Sequence, residues 1–317
     1  MADGAEVTVV GGGVVGLTSS LALAEAGHRV RCVRDVPAAE TVSAVAGGLW
    51  FPYHVEPRDR VAAWGLTALE WFHSLAEVPA AGVALREGVM VERGTADRWW
   101  AAGVEGRREA APSELPDGAT GGVVCRVPLV TMAVHLAWLE DRCRAVGVEL
   151  VDGRVDDVGD VESAVVVVAA GIRSAELLGD EGPQPSRGQV ALLANPGLDR
   201  WVVDDDHPDG MVYALPHPGW VVCGGTDVLG SWDLEPDPGV HEAIVARVRS
   251  VVPELADAEV LGARVGLRPV APSVRLQRSE VAGRTVVTNY GHGGAGVTLA
   301  WGCAQEVVGL VGGAAAP

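Results

Sequence analysis

The 317-residue chain contains no lysine; all 24 of its basic residues are arginine. A pyridoxal Schiff base and a substrate imine both need an ε-amine, and a phosphate loop of the G-K-[ST] type needs its lysine, so these chemistries are excluded. Cysteine is scarce as well. The five residues Cys32, Cys125, Cys143, Cys223 and Cys303 are odd in number and form no C-x-x-C pair. That pattern argues against a disulfide framework and a zinc site, so buried thiols and no metal centre are expected. No run approaches the roughly 18 uninterrupted apolar residues of a membrane span. The opening Met-Ala-Asp-Gly-Ala-Glu has neither the basic patch nor the apolar core of an export signal, so a cytoplasmic location is expected. Positive charge is in deficit too: a net charge of -18 would repel phosphate backbones, which disfavours a nucleic-acid partner and favours a small-molecule role.

What is present is glycine and apolar residues, 42 glycines and 48% hydrophobic side chains, enough for two lobes each with its own core. Glu6 to Val10 reads as a short buried strand, Leu17 to Ala26 as a helix closed by Gly27, and His28 to Val33 as a returning strand. Between strand and helix, Gly11, Gly13 and Gly16 fit G-x-G-x-x-G, with Val14 and Val15 inside the turn. Asp35 follows 19 residues after Gly16, where an acid can bond a ribose hydroxyl. The motif alone is weak, since so many glycines give roughly 0.7 matches by chance. Its context of strand, helix, strand and acid makes it a dinucleotide site. A second match, Gly291, Gly293 and Gly296, follows the strand-like run 284–288 and precedes the apolar run 297–308, whose helix would point its N-terminus at a ligand.

The buried strand 164–170 ends in Gly171, and the amphipathic run 129–146 and strand 148–151 precede it, so pieces of one sheet are scattered along the chain. Segments near 51–126 and 184–283 are richer in tryptophan, proline and alternating strands. The expected fold is α/β: a discontinuous Rossmann-like cofactor domain (1–50, 127–183, 284–317) and an α+β substrate domain with a mixed or antiparallel sheet (51–126, 184–283).

Between residues 6 and 308 the chain resembles the D-amino-acid oxidase family of FAD-dependent enzymes. The resemblance rests on the opening turn, the segment 45–53, Ser186-Arg187-Gly188-Gln189, Tyr213-Ala214-Leu215-Pro216, Gly266-Leu267-Arg268-Pro269-Val270-Ala271-Pro272 and Asn289-Tyr290-Gly291-His292-Gly293-Gly294. It implies non-covalent FAD, a D-amino acid substrate, O2 as acceptor and hydride transfer to the flavin without a general base. Arg268 would clamp the carboxylate, as the fork of a guanidinium suits it. Tyr213 would donate to the same group, and the carbonyl of Gly294 would take the amine. For FAD the resemblance implies Gly11, Gly13, Val14, Val15, Gly16, Thr41, Val42 and Ser43 at the pyrophosphate. It adds Asp35 at the ribose, Val155 at the adenine, Gly47, Gly48 and Leu49 at the ring, and Gly171, Arg268, Gly293, Gly294, Gly296, Val297 and Thr298 around the flavin. It leaves a homodimer open.

Asp204, Asp205, Asp206 and Asp209, with no arginine between residues 201 and 213, predict neutral or basic D-amino acids over D-aspartate. Asp209 stands where many relatives carry a second tyrosine, Ala295 where another is common, and Val42 interrupts the hydroxyl-rich loop. Plainer readings stand beside these. Arg268 is alternatively a structural ion-pair partner, Tyr213 a packing residue, the 204–206 run a solvated turn, and His292 a histidine satisfied by backbone. Trp50 has a claim on the flavin pocket beside Gly48 and Leu49. A glycine, sarcosine or D-aspartate type of oxidase, a nicotinamide-dependent dehydrogenase and a flavin-binding protein without turnover are the rival functions. The lysine-free composition weighs against a sarcosine oxidase, and the second glycine turn against a dehydrogenase.

Overall fold

A computed structural model describes residues 4–52, 54–95 and 97–313. Tyr53 of the 45–53 segment and residues 1–3 of the N-terminal stretch lie outside them. The chain opens with β1 (Glu6–Val10), α1 (Val14–Glu25), β2 (Arg29–Arg34), the single turn α2 (Val42–Val45) and α3 (Arg58–Leu75). Next come β3 (Val83–Glu92), β4 (Arg108–Glu109), β5 (Gly121–Val130), α4 (Met132–Ala145), β6 (Glu149–Asp152), β7 (Val165–Val168) and α5 (Arg173–Leu178). These lead to β8 (Gln184–Ala194), β9 (Trp201–Asp204), β10 (Val212–His217), β11 (Trp220–Gly224), β12 (Val228–Leu229) and α6 (Pro238–Val251). The chain closes with β13 (Val260–Val281), β14 (Arg284–His292) and α7 (Gly296–Val311).

Two compact units divide these elements. The first comprises Met1–Val83, Met132–Pro185 and Arg268–Pro317. Its strands run β13-β14-β7-β1-β2-β6, with β14, β7, β1, β2 and β6 parallel and β13 antiparallel to β14. This is the expected Rossmann-like sheet. Its inner strands are almost continuous valine, as a parallel sheet covered on both faces requires. The α1 helix is buried on every side, residues 16–23 all being covered with Thr18, Ser19 and Ser20 among them, and it packs on α7. Leu17, Leu21 and Leu299 are buried to 2% exposure or less, and each such side chain contributes about 1.5–3 kcal/mol. A Cβ on Gly302 of α7 would stand 2.2 Å from the Trp64 carbonyl of α3, so these two helices meet backbone to backbone.

The second unit comprises Ala84–Thr131 and Ser186–Leu267. Its strands run β4-β5-β3-β9-β10-β11-β8, with β12 on β8; β3 and β9 are parallel, and the pairs β4–β5, β9–β10, β10–β11, β11–β8 and β12–β8 are antiparallel. The α6 helix covers it through Ile244, Val245 and Val248, packed against Leu193, Val212, Val221 and Cys223. This mixed sheet with one covering helix is the α+β arrangement expected.

Two features depart from expectation. The helix α3 lies in the first unit, although residues 51–126 read as substrate domain, because its apolar stripe of Val61, Trp64, Leu69 and Phe72 is buried there and it packs on α7. Residues 293–311 have the length and mean hydropathy, 1.2, of a membrane span, although no uninterrupted apolar run of that length is present in the segment. This segment is 61% buried, and α7 packs between α1 and α3 as a core helix. All five cysteines are buried thiols, and burial pushes Cys32 up to about 11 and Cys125, Cys143 and Cys223 up to about 12.

His135 of α4 is fully buried among Trp71, Phe72 and Trp138, with Nδ1 2.9 Å from the Ala81 carbonyl. Burial holds its pKa down at about 4 against an ordinary 6.5. The folded state therefore keeps the ring neutral where the unfolded chain would protonate it. That stability is complete above pH 6.5 and is lost as pH falls toward 4, a linkage of roughly 3 kcal/mol. We expect Tm to drop across that window and the drop to be shallower in His135→Phe. A pH slope unaltered by the substitution would show that the buried ring takes no part.

Candidate active site

The opening turn sits where β1 meets α1. The Gly11 N–H donates to the Val33 carbonyl at 2.8 Å, and a Cβ on Gly16 would stand 1.9 Å from the Gly11 carbonyl. Only bare backbone fits there. Val14 donates its N–H to Ser43 Oγ at 3.0 Å, and a Cβ on Gly13 would stand 3.0 Å from the same oxygen. Ser43 thus joins the α2 turn to the start of α1. Apart from that Ser43 contact the α1 N-terminus has no side-chain cap, its N-cap being Gly13, and its first turn carries no acid. Its positive end is open to an anion, so the cradle fits a pyrophosphate. Thr41 spends its hydroxyl on the Ala38 carbonyl at 2.7 Å, and Val42 is exposed.

Asp35 and Val155 meet around a residue that the sequence reading missed. Arg173, at the start of α5, donates Nη1 to Asp35 at 2.5 Å and Nη2 to the Val155 carbonyl at 3.3 Å. The signal available in the sequence was its place two residues after Gly171, which ends the β7 connection at φ +59. Gly48, at φ +78, is buried next to half-buried Gly47 and Leu49. Trp50 belongs to the core instead of a ligand pocket: it is 2% exposed and donates Nε1 to the Gly65 carbonyl at 3.1 Å.

The closing turn follows β14. Gly291 takes φ +82, and a Cβ there would meet Ala271 Cβ at 2.9 Å, so this glycine is required twice over. Gly294 is exposed, and Gly293 has only Val270 near a would-be Cβ, at 3.8 Å. Val270 of β13 pairs with His292, the last residue of β14, so Arg268 lies two residues before that pair and Gly294 two residues past it, in the turn 293–295. The α7 helix begins at Gly296 without a side-chain cap or acid. Val297 and Thr298 are buried, and the Thr298 hydroxyl donates to the Phe51 carbonyl at 2.9 Å and accepts from its N–H at 3.0 Å. Only its backbone is left for a ligand.

On β14, leading into the closing turn, two buried polar atoms, His292 Nε2 and Asn289 Oδ1, have no hydrogen-bond partner among the described residues. Burial holds His292 down at about 4, so it is neutral, and no backbone bond to Nε2 supports the plainer reading of it. Asn289 donates Nδ2 to Ser19 Oγ at 3.0 Å, and Ser19 donates to the Val15 carbonyl at 2.7 Å, which ties the closing strand to the opening turn. Beside them Tyr290 and Arg275 both bond Asp180 Oδ2 at 2.9 Å, and the Arg275 contact holds that carboxyl down at about 2. A bare cradle lined by unsatisfied polar atoms fits a large polar cofactor such as FAD.

In the second unit Tyr213 on β10 lies opposite Gly224 on β11. A Cβ on Gly224 would fall 1.8 Å from the tyrosine Cζ, so the ring rests on glycine backbone instead of packing under the sheet. Arg187 is buried and donates to the carbonyls of Asp233 and Glu235, and with Gln189 it staples the 233–237 segment. The 204–206 run is not simply a solvated turn. Asp204 is fully buried in a forked pair with Arg93 at 2.7 Å, and burial, with Asp206 and Asp204 nearby, pushes Asp205 up to about 7.

A family model described as "FAD dependent oxidoreductase" matches residues 6–310. A D-amino-acid oxidase of Streptomyces coelicolor is 46% identical over 310 residues, covering 96% of each chain. A second D-amino-acid oxidase, of Rubrobacter xylanophilus, is 44% identical over 318 residues, covering 98% of this chain and 97% of that one. Among solved structures, a glycine oxidase of Geobacillus kaustophilus has the same fold, with a TM-score of 0.83 at 20% identity, over 98% of this chain and 96% of that one.

Proposed function

The chain belongs to the DAO family of FAD-dependent oxidoreductases, and from that membership we propose that it oxidises D-amino acids to 2-oxo acids. FAD, when bound, supplies the acceptor for the hydride leaving Cα, and O2 takes the electrons onward to give H2O2. The resulting imino acid hydrolyses in water to a 2-oxo acid and ammonia.

The observation that supports this reading is the Val270–His292 pair of β13 and β14, which lies two residues from Arg268 on one side and two from the exposed Gly294 on the other. An amino acid presents a carboxylate and an amine about one bond from the same carbon. Arg268 binds the first through two parallel charge-assisted bonds, with the Tyr213 hydroxyl as a further donor, and the Gly294 carbonyl accepts from the second. With both ends anchored, Cα has one orientation, and that orientation is the protein's main contribution to rate. The first unit is the cofactor domain in this reading. Gly11, Gly13, Val14, Val15, Gly16 and Ser43 hold the pyrophosphate, Asp35 with Arg173 the ribose, and Val155 the adenine. Gly47, Gly48, Leu49, Gly293 and the amides of Gly296, Val297 and Thr298 hold the flavin, with Gly171 alongside, and Thr41 and Val42 join Ser43 at the pyrophosphate. The second unit is the substrate domain.

Purified protein is expected to be yellow, to bleach anaerobically with D-alanine but not L-alanine, and to release peroxide in air. A colourless preparation that takes up no added FAD ends this reading. The acids Asp205, Asp206 and Asp209 support a preference for neutral or basic side chains. D-Alanine and D-arginine should therefore turn over at least about tenfold faster than D-aspartate, and equal rates would refute that preference.

A further inference from the structure

Arg247 of α6 is half-buried in the second unit, where the helix's other inward residues are the apolar Ile244, Val245 and Val248. Its Nη2 donates to the Gly225 carbonyl at 3.2 Å and, at a longer 3.5 Å, to the Met211 carbonyl. The Gly225 N–H donates to the same Met211 carbonyl at 3.2 Å. The guanidinium therefore closes a small polar ring across two residues that flank Tyr213. Met211 lies two positions before it, and Gly225 lies beneath its hydroxyl, where a Cβ would stand 2.9 Å from Oη. The tyrosine rests directly on the backbone that the arginine holds.

The arginine is an expensive choice for stability alone. Its Nε is buried with no partner among the described residues, and burial lowers its pKa, partly offset by the charge of Asp209. Its bonds go to main-chain carbonyls, and a cation so placed loses hydration without a matched carboxylate in return. An apolar residue would cover β10 and β11 as its helix neighbours do. The turn at 207–210 is also drawn in, since a Cβ on Gly210, at φ +102, would lie 3.6 Å from Arg247 Cζ.

We propose that Arg247 is a positioning residue for the substrate carboxylate, setting the place of the Tyr213 hydroxyl by tying Met211 to Gly225. The inference rests on Tyr213 serving as carboxylate donor. It is tested on holoenzyme carrying Arg247→Met, Arg247→Lys, Tyr213→Phe and the Met/Phe double substitution. The measurements are KM and kcat for D-alanine, Kd for propionate from the flavin absorbance, bound FAD and Tm. Arg247→Met should raise both KM and the propionate Kd about tenfold while kcat stays within about threefold, and Arg247→Lys should recover part of the loss. In the Tyr213→Phe background the same change should add less than about twofold, the mark of two residues acting as one unit. Additive effects, or an unchanged KM and propionate Kd, overturn the proposal, even with a lower Tm. If Arg247→Met does not fold, the lysine variant carries the same coupling test. Coupled losses of propionate affinity in a protein that oxidises no D-amino acid would leave the positioning role standing and refute the substrate assignment.

Discussion

Replacing Arg268 with alanine is expected to leave a yellow, FAD-loaded protein whose kcat/KM for D-alanine has fallen by about 2–5 kcal/mol, some 30- to 5,000-fold. The size follows from removing one partner of a desolvated ion pair, which leaves the substrate carboxylate without its forked counter-charge. In the proposed site Arg268, on β13 two residues before the Val270–His292 pair, is the group that fixes the carboxylate relative to the amine. Both KM and kcat should suffer, because a loosely held carboxylate leaves Cα free to turn. Arg268→Lys should fall between parent and alanine, since it keeps the charge and loses the fork. Steady-state peroxide assays with flavin content measured in parallel decide the matter. An unchanged kcat/KM in the alanine variant would move the clamp elsewhere.

Gly16→Ala should act on the cofactor. Its new Cβ would lie 1.9 Å from the Gly11 carbonyl, and Gly11 cannot retreat, because a Cβ there would itself lie 2.3 Å from the Ala169 carbonyl and its φ is +126. Backbone must move on one side or the other, and overpacking of this kind costs about 1–3 kcal/mol before any ligand is considered. The same movement displaces the amides of Val14 and Val15, so FAD affinity should fall by about 100-fold or more and the purified protein should be nearly colourless. Gly179→Ala, after α5 and outside the assigned cradle, is the matching control. Nothing lies within 4 Å of its would-be Cβ, although its φ is +63. Strain alone, about 1 kcal/mol, is expected there, with FAD largely retained. Fluorescence titration of apoprotein with FAD compares the two, and equal affinities would remove the close-approach argument for Gly16.

The contrast between these glycines indicates what could be read before the structure. β1, α1 and β2 were legible because a valine run, a glycine turn and an apolar helix follow one another within local sequence, and local rules govern them. The place of α3 was not, because nothing in its own amphipathic pattern says which unit will receive the stripe of Trp64 and Phe72. The acid run at 204–206 misled for a similar reason. Three aspartates in a row look solvated, yet Arg93 reaches Asp204 across 111 residues of sequence and makes its burial tolerable. Arg173 escaped notice because a helix-start arginine looks like any surface cation until Asp35 and Val155 converge on it. The two glycine turns were legible, whereas the hydrogen-bonded side chains Arg173 and Arg247 were chosen by tertiary neighbours that carry no spacing signature.

The strand order of the first unit has a consequence for how the protein is made. β7 lies between β1, from the first ten residues, and β14, from the last thirty-four, and α1 lies on α7. The sheet that carries the opening glycine turn therefore has a bare β7 edge, and α1 an uncovered face, until the ribosome has delivered almost the whole chain. The residues of the second unit, by contrast, have all been synthesised by position 267. Nascent chains and C-terminal truncations ending before residue 284 are thus expected to present an aggregation-prone edge and no FAD cradle.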